Sequence, residues 1–123
     1  MIERLTATRR DLHQIPEIGF DLPQTQAYLV NALKETGARI EETRPSGILA
    51  FFDGGKNETC AFRADMDALP GTEAGGDAFC SRHPGRMHAC GHDCHMAMLL
   101  ELARYVKDHL PELPRNVLLV FEP

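Results

Sequence analysis

Two cysteines and three histidines stand within eight consecutive positions, in the segment HACGHDCH at residues 88–95. Cys90 and His92 flank a single glycine, Gly91. A thiolate and an imidazole so spaced in an extended turn can reach one divalent ion, and the glycine lets the backbone turn sharply between them. An isolated pair of this kind more often binds nothing, but the density of neighbouring ligand types here favours a metal site. A thiolate with an imidazole indicates zinc ahead of harder ions.

The segment FRADMDALP carries a second group of reactive side chains, Asp65 and Asp67, directly after an expected strand. The carboxyl end of a strand is where α/β folds keep their chemistry, and strand alternation would point both carboxylates to one side. Two like charges so close need a cation or hydrogen-bond donors, and Arg63 or a metal ion could serve. A pair of aspartates that only caps the loop is an equally good interpretation of these residues.

The polar residues that follow Gly91 have simpler interpretations. We expect Asp93 to cap the free amides of the helix that starts there. The alternative is that its carboxylate accepts a hydrogen bond from a histidine that binds the metal. His95 follows His92 by three residues, so both occupy nearby faces of the first helical turn. His95 is therefore expected either as a second ligand or as a hydrogen-bond partner of substrate or of a carboxylate.

Four further residues are expected to lie outside a catalytic metal site. His83 and His88 belong to a glycine-rich loop, where we expect them at the solvent or at the edge of a substrate. Cys94 falls inside the start of the helix, where a small buried side chain is the plain explanation. His13 has no nearby partner in the sequence, which favours a structural role.

A closed structural zinc site is the main alternative for the cysteines. Cys80, Cys90 and Cys94 together with one histidine would supply four ligands. Their spacing, with nine and then three intervening residues, does not match the paired short knuckles of zinc fingers and ribbons. We therefore keep the closed site as a minority interpretation.

Helices and strands must position these residues. Apolar spacing predicts helices over residues 2–14 and 92–109, and a further helix that begins with Asp21 as N-cap and ends near Gly37. Four segments are predicted as strands: RIEET, GILAFF, TCAFRAD and NVLLVF. The DGGKN segment between the second and the third carries the signals of a hairpin turn. Continuous apolar strands flanked by helices indicate an α/β fold with a partly parallel sheet.

Composition limits the function classes. The 123 residues fit one domain that can bury a real core. A net charge of −5 leaves no basic surface for phosphates, so we expect no nucleic-acid partner. The N-terminus lacks the apolar segment of a signal peptide, and the apolar runs are too short to cross a bilayer. We therefore expect no membrane partner and a cytoplasmic location, where cysteines stay reduced.

Four segments in order, RRDLHQIPEIGF, FRADMDALP, GRMHACGHDCH and VLLVFEP, resemble the N-terminal part of a family of metal-dependent amidohydrolases. The family includes hippurate hydrolases, N-acetyl-diaminopimelate deacetylases and indoleacetyl-amino acid hydrolases, within the wider aminoacylase and carboxypeptidase family. The resemblance implies a three-layer α/β/α catalytic domain of the zinc-aminopeptidase-like type. Residues 1–123 would form its N-terminal part, without the inserted dimerisation domain and the remainder of the catalytic domain.

The same resemblance implies a function. The full-length form would be a homodimeric hydrolase that cleaves the amide bond of small N-acyl amino acids with one or two divalent ions, zinc or manganese, per subunit. Cys90 and His92 match metal ligands of the family. Asp67 matches a catalytic-site aspartate that orients a ligand, and Asp65 falls where some branches have a histidine ligand.

The family resemblance also sets an expectation for this chain alone. The family's general base and later ligands follow beyond position 123, and a catalytic zinc commonly needs three protein ligands. We therefore expect these 123 residues by themselves to be inactive or nearly so. A non-catalytic zinc-binding module and a degenerate gene remnant are the alternatives.

Overall fold

The computed structural model describes residues 1–123, the whole of the sequence given. Three α-helices and six strands follow one another along the chain: α1 (Ile2–His13), α2 (Pro23–Leu33), β1 (Arg39–Thr43), β2 (Gly47–Phe52), β3 (Thr59–Asp65), β4 (Leu69–Pro70), β5 (Arg86–Met87), α3 (His92–His109) and β6 (Asn116–Glu122). Short 3-10 turns follow α2 at Lys34–Thr36 and α3 at Leu110–Glu112. The helix predicted over residues 92–109 coincides with α3 at both ends.

A four-stranded sheet in the order β1–β2–β6–β3 lies at the centre of the fold. The strand β6 is antiparallel to β2 and parallel to β3, so it has a neighbour on each side. That interior position explains why NVLLVF is apolar almost throughout. The predicted α/β fold with a partly parallel sheet is confirmed. The strands β4 and β5 form a separate antiparallel pair.

The predicted hairpin between GILAFF and TCAFRAD is wrong, because β6 lies between these two strands. The DGGKN segment still turns, but a side chain of β6 holds it. Asn116 Oδ1 accepts hydrogen bonds from the backbone N–H of Gly54 at 2.8 Å and of Lys56 at 3.1 Å. The sequence signal therefore correctly indicated a turn at DGGKN. The pairing of β2 with β3 that it suggested does not form, because the apolar strand β6 lies between them. The hairpin that does form joins β1 to β2.

The helix α2 is capped by a different residue from the predicted Asp21. The carboxylate of Glu17 accepts hydrogen bonds from the backbone N–H of Gln24 at 3.1 Å and of Thr25 at 2.7 Å. It also accepts one from the Thr25 hydroxyl at 2.7 Å. These bonds satisfy amides that would otherwise lack partners at the helix start. Because Glu17 precedes the helix by several residues, a rule that looks at the adjacent residue does not find it.

All three helices contribute to a single core on one face of the sheet. Alternate strand residues point into this core, because successive side chains of a strand face opposite sides. The buried strand residues are Ile48, Ala50, Phe52, Ala64, Val117, Leu119 and Phe121. The other face of the sheet carries half-buried apolar side chains, such as Leu49 and Leu118. The chain thus forms the sheet and one helical layer.

None of the three helices combines the length and the hydropathy that crossing a membrane requires.

Candidate metal centre

The end of β3 and the start of α3 lie side by side. Asp65 is the last residue of β3, and His92 is the first residue of α3. The strand and the helix pack against each other, and both contribute to the core, through Ala64 and Met96 among others. The first turn of the helix therefore stands at the carboxyl end of the strand, the edge at which α/β folds place their functional residues.

His92 lies between the two aspartates that the sequence singles out. Its Nε2 is 3.1 Å from Asp65 Oδ2, and its Nδ1 is 3.0 Å from Asp67 Oδ1. His95, on the same helical turn, has its Nδ1 2.8 Å from Asp65 Oδ1. We call these residues the candidate metal centre: Asp65, Asp67, His92 and His95.

The contacts of His92 leave one ring nitrogen available as a ligand. A proton on Nδ1 is donated to Asp67, whose backbone carbonyl oxygen lies 2.8 Å away. Nε2 faces Asp65, and in the tautomer that carries its proton on Nδ1 it has a free lone pair for a metal ion. Ligand histidines commonly donate their other N–H to a carboxylate or a backbone carbonyl, which fixes the tautomer and the orientation of the ring. Asp67 has the geometry of such an orienting residue, although its role stays a prediction.

Three possible donor atoms, one each from Asp65, His92 and His95, lie within 4.8 Å of one another. With metal–ligand bonds of about 2.1 Å, the donor atoms of a tetrahedral zinc stand about 3–4 Å apart, so this group needs only small shifts to bind one ion. One carboxylate with two imidazoles is also a donor set that catalytic zinc sites use. The chemistry and spacing of these residues fit a divalent ion.

The charge of the Asp65 carboxylate is favoured by its neighbours. Burial by itself would raise its pKa, but the hydrogen bond with His95 and electrostatic attraction to the adjacent His92 ring hold the pKa below its usual value. Arg63 Nη1 lies 3.8 Å from Asp65 Oδ2, and the same guanidinium pairs with Glu122. Of the two cations that the sequence left open, Arg63 therefore lies beside Asp65.

The predicted ligand Cys90 is exposed and stands outside the group of mutually close donor atoms. It precedes His92 by two residues, and its role as a ligand stays a prediction. All four cysteines are free thiols, and none of them joins a group of three close donor atoms. The structure therefore offers no support for the closed zinc site that would include Cys80.

Cys94, which we expected as a small buried side chain, is exposed. The buried stripe of α3 runs through Asp93, Met96 and Ala97 and leaves position 94 outside it. Position 94 is rotated about 100° around the helix axis from Asp93, which turns its side chain away from this stripe.

A second cluster of charged residues lies on the other side of the first turn of α3. Asp93 Oδ2 is 2.8 Å from His13 Nδ1 and 2.9 Å from Arg9 Nε, and the Asp93 side chain is 1% exposed. His13 Nε2 is in turn 3.0 Å from Glu73 Oε1. We call these residues the buried ionic cluster: Arg9, His13, Glu73 and Asp93.

The buried ionic cluster corrects the prediction that His13 lacks a partner. Its two partners stand 60 and 80 residues away in the sequence, so no local spacing reveals them. The capping role expected of Asp93 is present but is only part of what the side chain does: Oδ1 accepts a hydrogen bond from the Cys94 N–H at 2.9 Å, while Oδ2 faces α1.

His88 is buried rather than at the solvent or a substrate edge, with 4% of its surface exposed. Neither of its ring nitrogens has a hydrogen-bond partner. Burial, which disfavours the charged ring, lowers its pKa to about 4. His88 is therefore neutral at pH 7. The prediction failed because polarity and a loop position do not by themselves reveal that a side chain is covered.

Comparison with protein families now adds to this geometry. The model of Peptidase family M20/M25/M40 matches residues 61–123, just over half of the chain. The chain belongs to this family. All four residues of the candidate metal centre lie within the M20 match, and so does Cys90. The family resemblance that the sequence motifs indicate is confirmed.

Curated relatives resemble nearly the whole chain. It is 43% identical over 127 residues to the N-acetyldiaminopimelate deacetylase of Leuconostoc citreum, covering 98% of this chain and 32% of that protein. It is 45% identical over 124 residues to the deacetylase of the same name from Streptococcus uberis, covering 97% of this chain and 32% of that protein. The chain thus spans about a third of the length of these curated relatives.

A solved M20 structure shares the fold. The YXEP protein of Bacillus subtilis, described as a dinuclear metal binding peptidase, superposes with a TM-score of 0.92 at 35% identity. The match covers 98% of this chain and 34% of that one. The α/β architecture predicted from the sequence is therefore that of an M20 catalytic domain.

Proposed function

We propose that this chain forms the metal-binding N-terminal part of an M20 hydrolase whose whole form cleaves the amide bond of small N-acyl amino acids. The relatives named N-acetyldiaminopimelate deacetylase support this class of substrate, and the dinuclear metal site ascribed to the Bacillus subtilis protein supports a divalent metal. The proposal includes the absence of a dimerisation domain from residues 1–123 and a homodimeric full-length form. It places the enzyme in the cytoplasm, where the Cys90 thiol stays reduced.

The observation that carries the proposal is the position of His92 between Asp65 and Asp67. His92 Nε2 and the Asp65 carboxylate would bind a zinc or manganese ion, and Cys90 is the further ligand that the family motif suggests. Asp67 would hold the His92 ring by accepting the Nδ1 proton, over 2.8 Å to its carbonyl oxygen. The thiol favours zinc over manganese.

The bound ion would supply Lewis acidity, which polarises an amide carbonyl and lowers the pKa of water to about 7. The residues of this chain do the positioning. Asp65 carries a negative charge that stabilises a cation, and Asp67 keeps the lone pair of His92 directed toward it. A carboxylate general base must still accept the proton of water. We propose that this base lies in the part of the protein that the relatives have and these 123 residues do not.

Zinc binding by the purified chain tests the metal-centre half of the proposal. Equilibrium dialysis should show that the unaltered chain binds zinc and that His92→Gln weakens binding by at least about 100-fold, more than loss of a ligand's partner costs. His109→Gln is the matched control, because His109 lies on the same helix at its far end. Equal zinc binding by the His92 variant would overturn the assignment.

Two further measurements separate the alternatives. Cys80→Ser should leave zinc binding unchanged, whereas a structural zinc module built on Cys80 would lose both its metal and its fold. The purified chain with zinc or manganese should release no amino acid from hippurate or from N-acetyl-diaminopimelate. Clear turnover by these 123 residues would show that the general base lies within them.

A further inference from the structure

We propose that the buried ionic cluster is a positioning device for the candidate metal centre: by fixing Asp93 it fixes the direction of the neighbouring ligand His92. The inference rests on the proposed metal-binding function. Within the cluster we assign His13 and Arg9 as positioning residues, since they act on the metal centre only through Asp93.

The peptide bond between His92 and Asp93 connects the two clusters. Both residues belong to the first turn of α3, and their side chains point about 100° apart. Asp93 faces α1 and contacts His13 and Arg9, whereas His92 faces the end of β3 and contacts Asp65. A rotation of the helix start that moved one side chain would therefore move the other.

Asp93 is restrained at both of its carboxylate oxygens. Oδ1 accepts the Cys94 N–H at 2.9 Å, and Oδ2 lies 2.8 Å from His13 Nδ1 and 2.9 Å from Arg9 Nε. On the opposite side of this turn, His92 and His95 contact residues at the end of β3. The N-cap, Gly91, makes no side-chain hydrogen bond, so the orientation of the turn toward α1 depends on Asp93.

The partners of Asp93 are themselves held in place. Arg9 and His13 stand four residues apart on α1, so both reach the same carboxylate from one helix face. Glu73 contacts the opposite side of the His13 ring and also accepts the Ser81 N–H at 3.1 Å. The cluster thereby joins α1, the start of α3 and the glycine-rich loop before it.

Pairing of polar groups explains how His13 and Asp93 stay buried. The two ring nitrogens of His13 lie within hydrogen-bond distance of the carboxylates of Asp93 and Glu73. The guanidinium of Arg9 adds a permanent positive charge beside Asp93. Buried charges of opposite sign tolerate each other only when paired in this way, so removing one partner should disturb the others.

The chain offers a matched control on the same two helices. Arg4 of α1 forms a double hydrogen bond with Glu101 of α3, at 2.5 and 2.8 Å. Glu101 lies eight residues after Asp93, or about 12 Å along the helix axis. Breaking this pair removes an ionic contact between α1 and α3 without touching the first turn of α3.

The test compares His13→Gln with Glu101→Gln. Zinc affinity is measured by equilibrium dialysis, and the geometry at the ligands by the visible absorption bands of Co²⁺ added in place of zinc. We expect the His13 variant to bind zinc about 10–100-fold more weakly and to shift the cobalt bands. We expect the Glu101 variant to match the unaltered chain in both measurements.

The other possible results distinguish a failure of this inference from a failure of the proposed function. Unchanged zinc affinity and cobalt bands in the His13 variant, or equal losses in the Glu101 variant, would overturn the inference while leaving the proposed function standing. An unaltered chain that binds no zinc would overturn both. If circular dichroism shows that the His13 variant does not fold, Arg9→Gln replaces it, because this variant keeps the His13–Asp93 contact. Since it removes one of the two contacts of Asp93 Oδ2, we expect a smaller loss of zinc affinity with a shift of the cobalt bands, and no change in either would overturn the inference.

Discussion

The candidate metal centre and the buried ionic cluster are built from the same side-chain types and meet at the first turn of α3. They differ in whether a metal ion could reach and bind them. In the candidate metal centre the side chains of His92 and His95 are 19% and 46% exposed. In the buried ionic cluster the side chains of Asp93 and His13 are 1% and 6% exposed. Burial therefore distinguishes the centre of the buried ionic cluster from the candidate metal centre, while the outer members Arg9 and Glu73 are 31% and 15% exposed.

Charge separates the two clusters further. The buried ionic cluster contains the guanidinium of Arg9 at 2.9 Å from Asp93, so its carboxylates already have a cation. In the candidate metal centre the guanidinium of Arg63 stays at 3.8 Å from Asp65 and is shared with Glu122. An open pair of carboxylates with a distant cation can still attract a metal ion, whereas the closed cluster has no need of one.

The largest expected effect is that of a substitution in the buried ionic cluster. Asp93→Ala should lower the free energy of unfolding by about 2–4 kcal/mol, because it leaves the buried His13 and the half-buried Arg9 without their carboxylate. Asp65→Ala in the open site should cost less than about 1 kcal/mol in metal-free protein, since its ion pairs are partly exposed. Urea denaturation at pH 7 with a chelator measures both. Equal losses would show that the two clusters do not differ in the way their burial indicates.

Acid should destabilise the metal-free protein through His88. Burial lowers the pKa of His88 from 6.5 to about 4, so the unfolded chain takes up this proton at a higher pH than the folded one. The stabilising contribution is full above pH 6.5 and is lost as pH falls toward 4. We expect a loss of roughly 1–3 kcal/mol across this window.

Replacement of His88 isolates this contribution. In His88→Phe the free energy of unfolding should vary less between pH 6.5 and pH 4.5, since a phenylalanine takes up no proton and leaves no buried nitrogen without a partner. Urea titrations of both proteins at several pH values make the comparison. The same slope in both would exclude His88 as the cause.

A smaller effect is expected at the glycine that precedes both clusters. Gly91 has φ of +90°, a conformation that residues with a Cβ rarely adopt. Gly91→Ala should cost about 1–2 kcal/mol of backbone strain, since the added Cβ would meet only His95 Nε2 at an ordinary 3.8 Å. Gly76→Ala is the control, because a Cβ there points into open space. A thermal melt in which both variants match the unaltered chain would contradict the strain argument.

The smallest effect lies away from both clusters. Burial and the hydrogen bond that Tyr28 donates to Asp11 raise the pKa of Tyr28 to about 12. The folded state therefore keeps the proton longer than the unfolded state, and the contribution is full below pH 10 and lost as pH rises toward 12. Because the hydroxyl is partly exposed, the loss should stay below about 1 kcal/mol. Tyr28→Phe should remove this part of the alkaline slope in urea titrations.

The residues of the candidate metal centre could be singled out from the sequence because they lie at or near the ends of regular elements. Asp65 ends a strand and Asp67 follows it by two residues, while His92 and His95 lie in the first turn of a helix. The carboxyl ends of strands are where α/β folds place functional residues. The stripe of apolar residues in α3 fixed both ends of that helix. The sequence locates a helix or strand where the apolar residues recur at its characteristic spacing or where residues that begin or end it are present.

The buried ionic cluster could not be predicted from the sequence, because its contacts join residues that are far apart along the chain. His13 and Asp93 come into contact because α1 packs on α3. No local sequence pattern near either residue indicates this contact. The hairpin error has a similar origin: the DGGKN turn is a local signal, while the place of β6 between two strands depends on residues more than 50 positions later. Local patterns specify elements, and packing decides their partners.

The parallel pairing of β3 with β6 has a consequence for how the molecule folds. Thr59 pairs with Asn116, so the polypeptide between the two strands, with nearly the entire candidate metal centre, must close as one long loop before the sheet is complete. Such distant contacts form slowly and late. Asp65 and His92 stand 27 residues apart inside this loop, so a metal ion bound by them would join its two halves independently of the pairing of β3 with β6. Because the ion would shorten the loop that remains to be closed, metal should speed refolding.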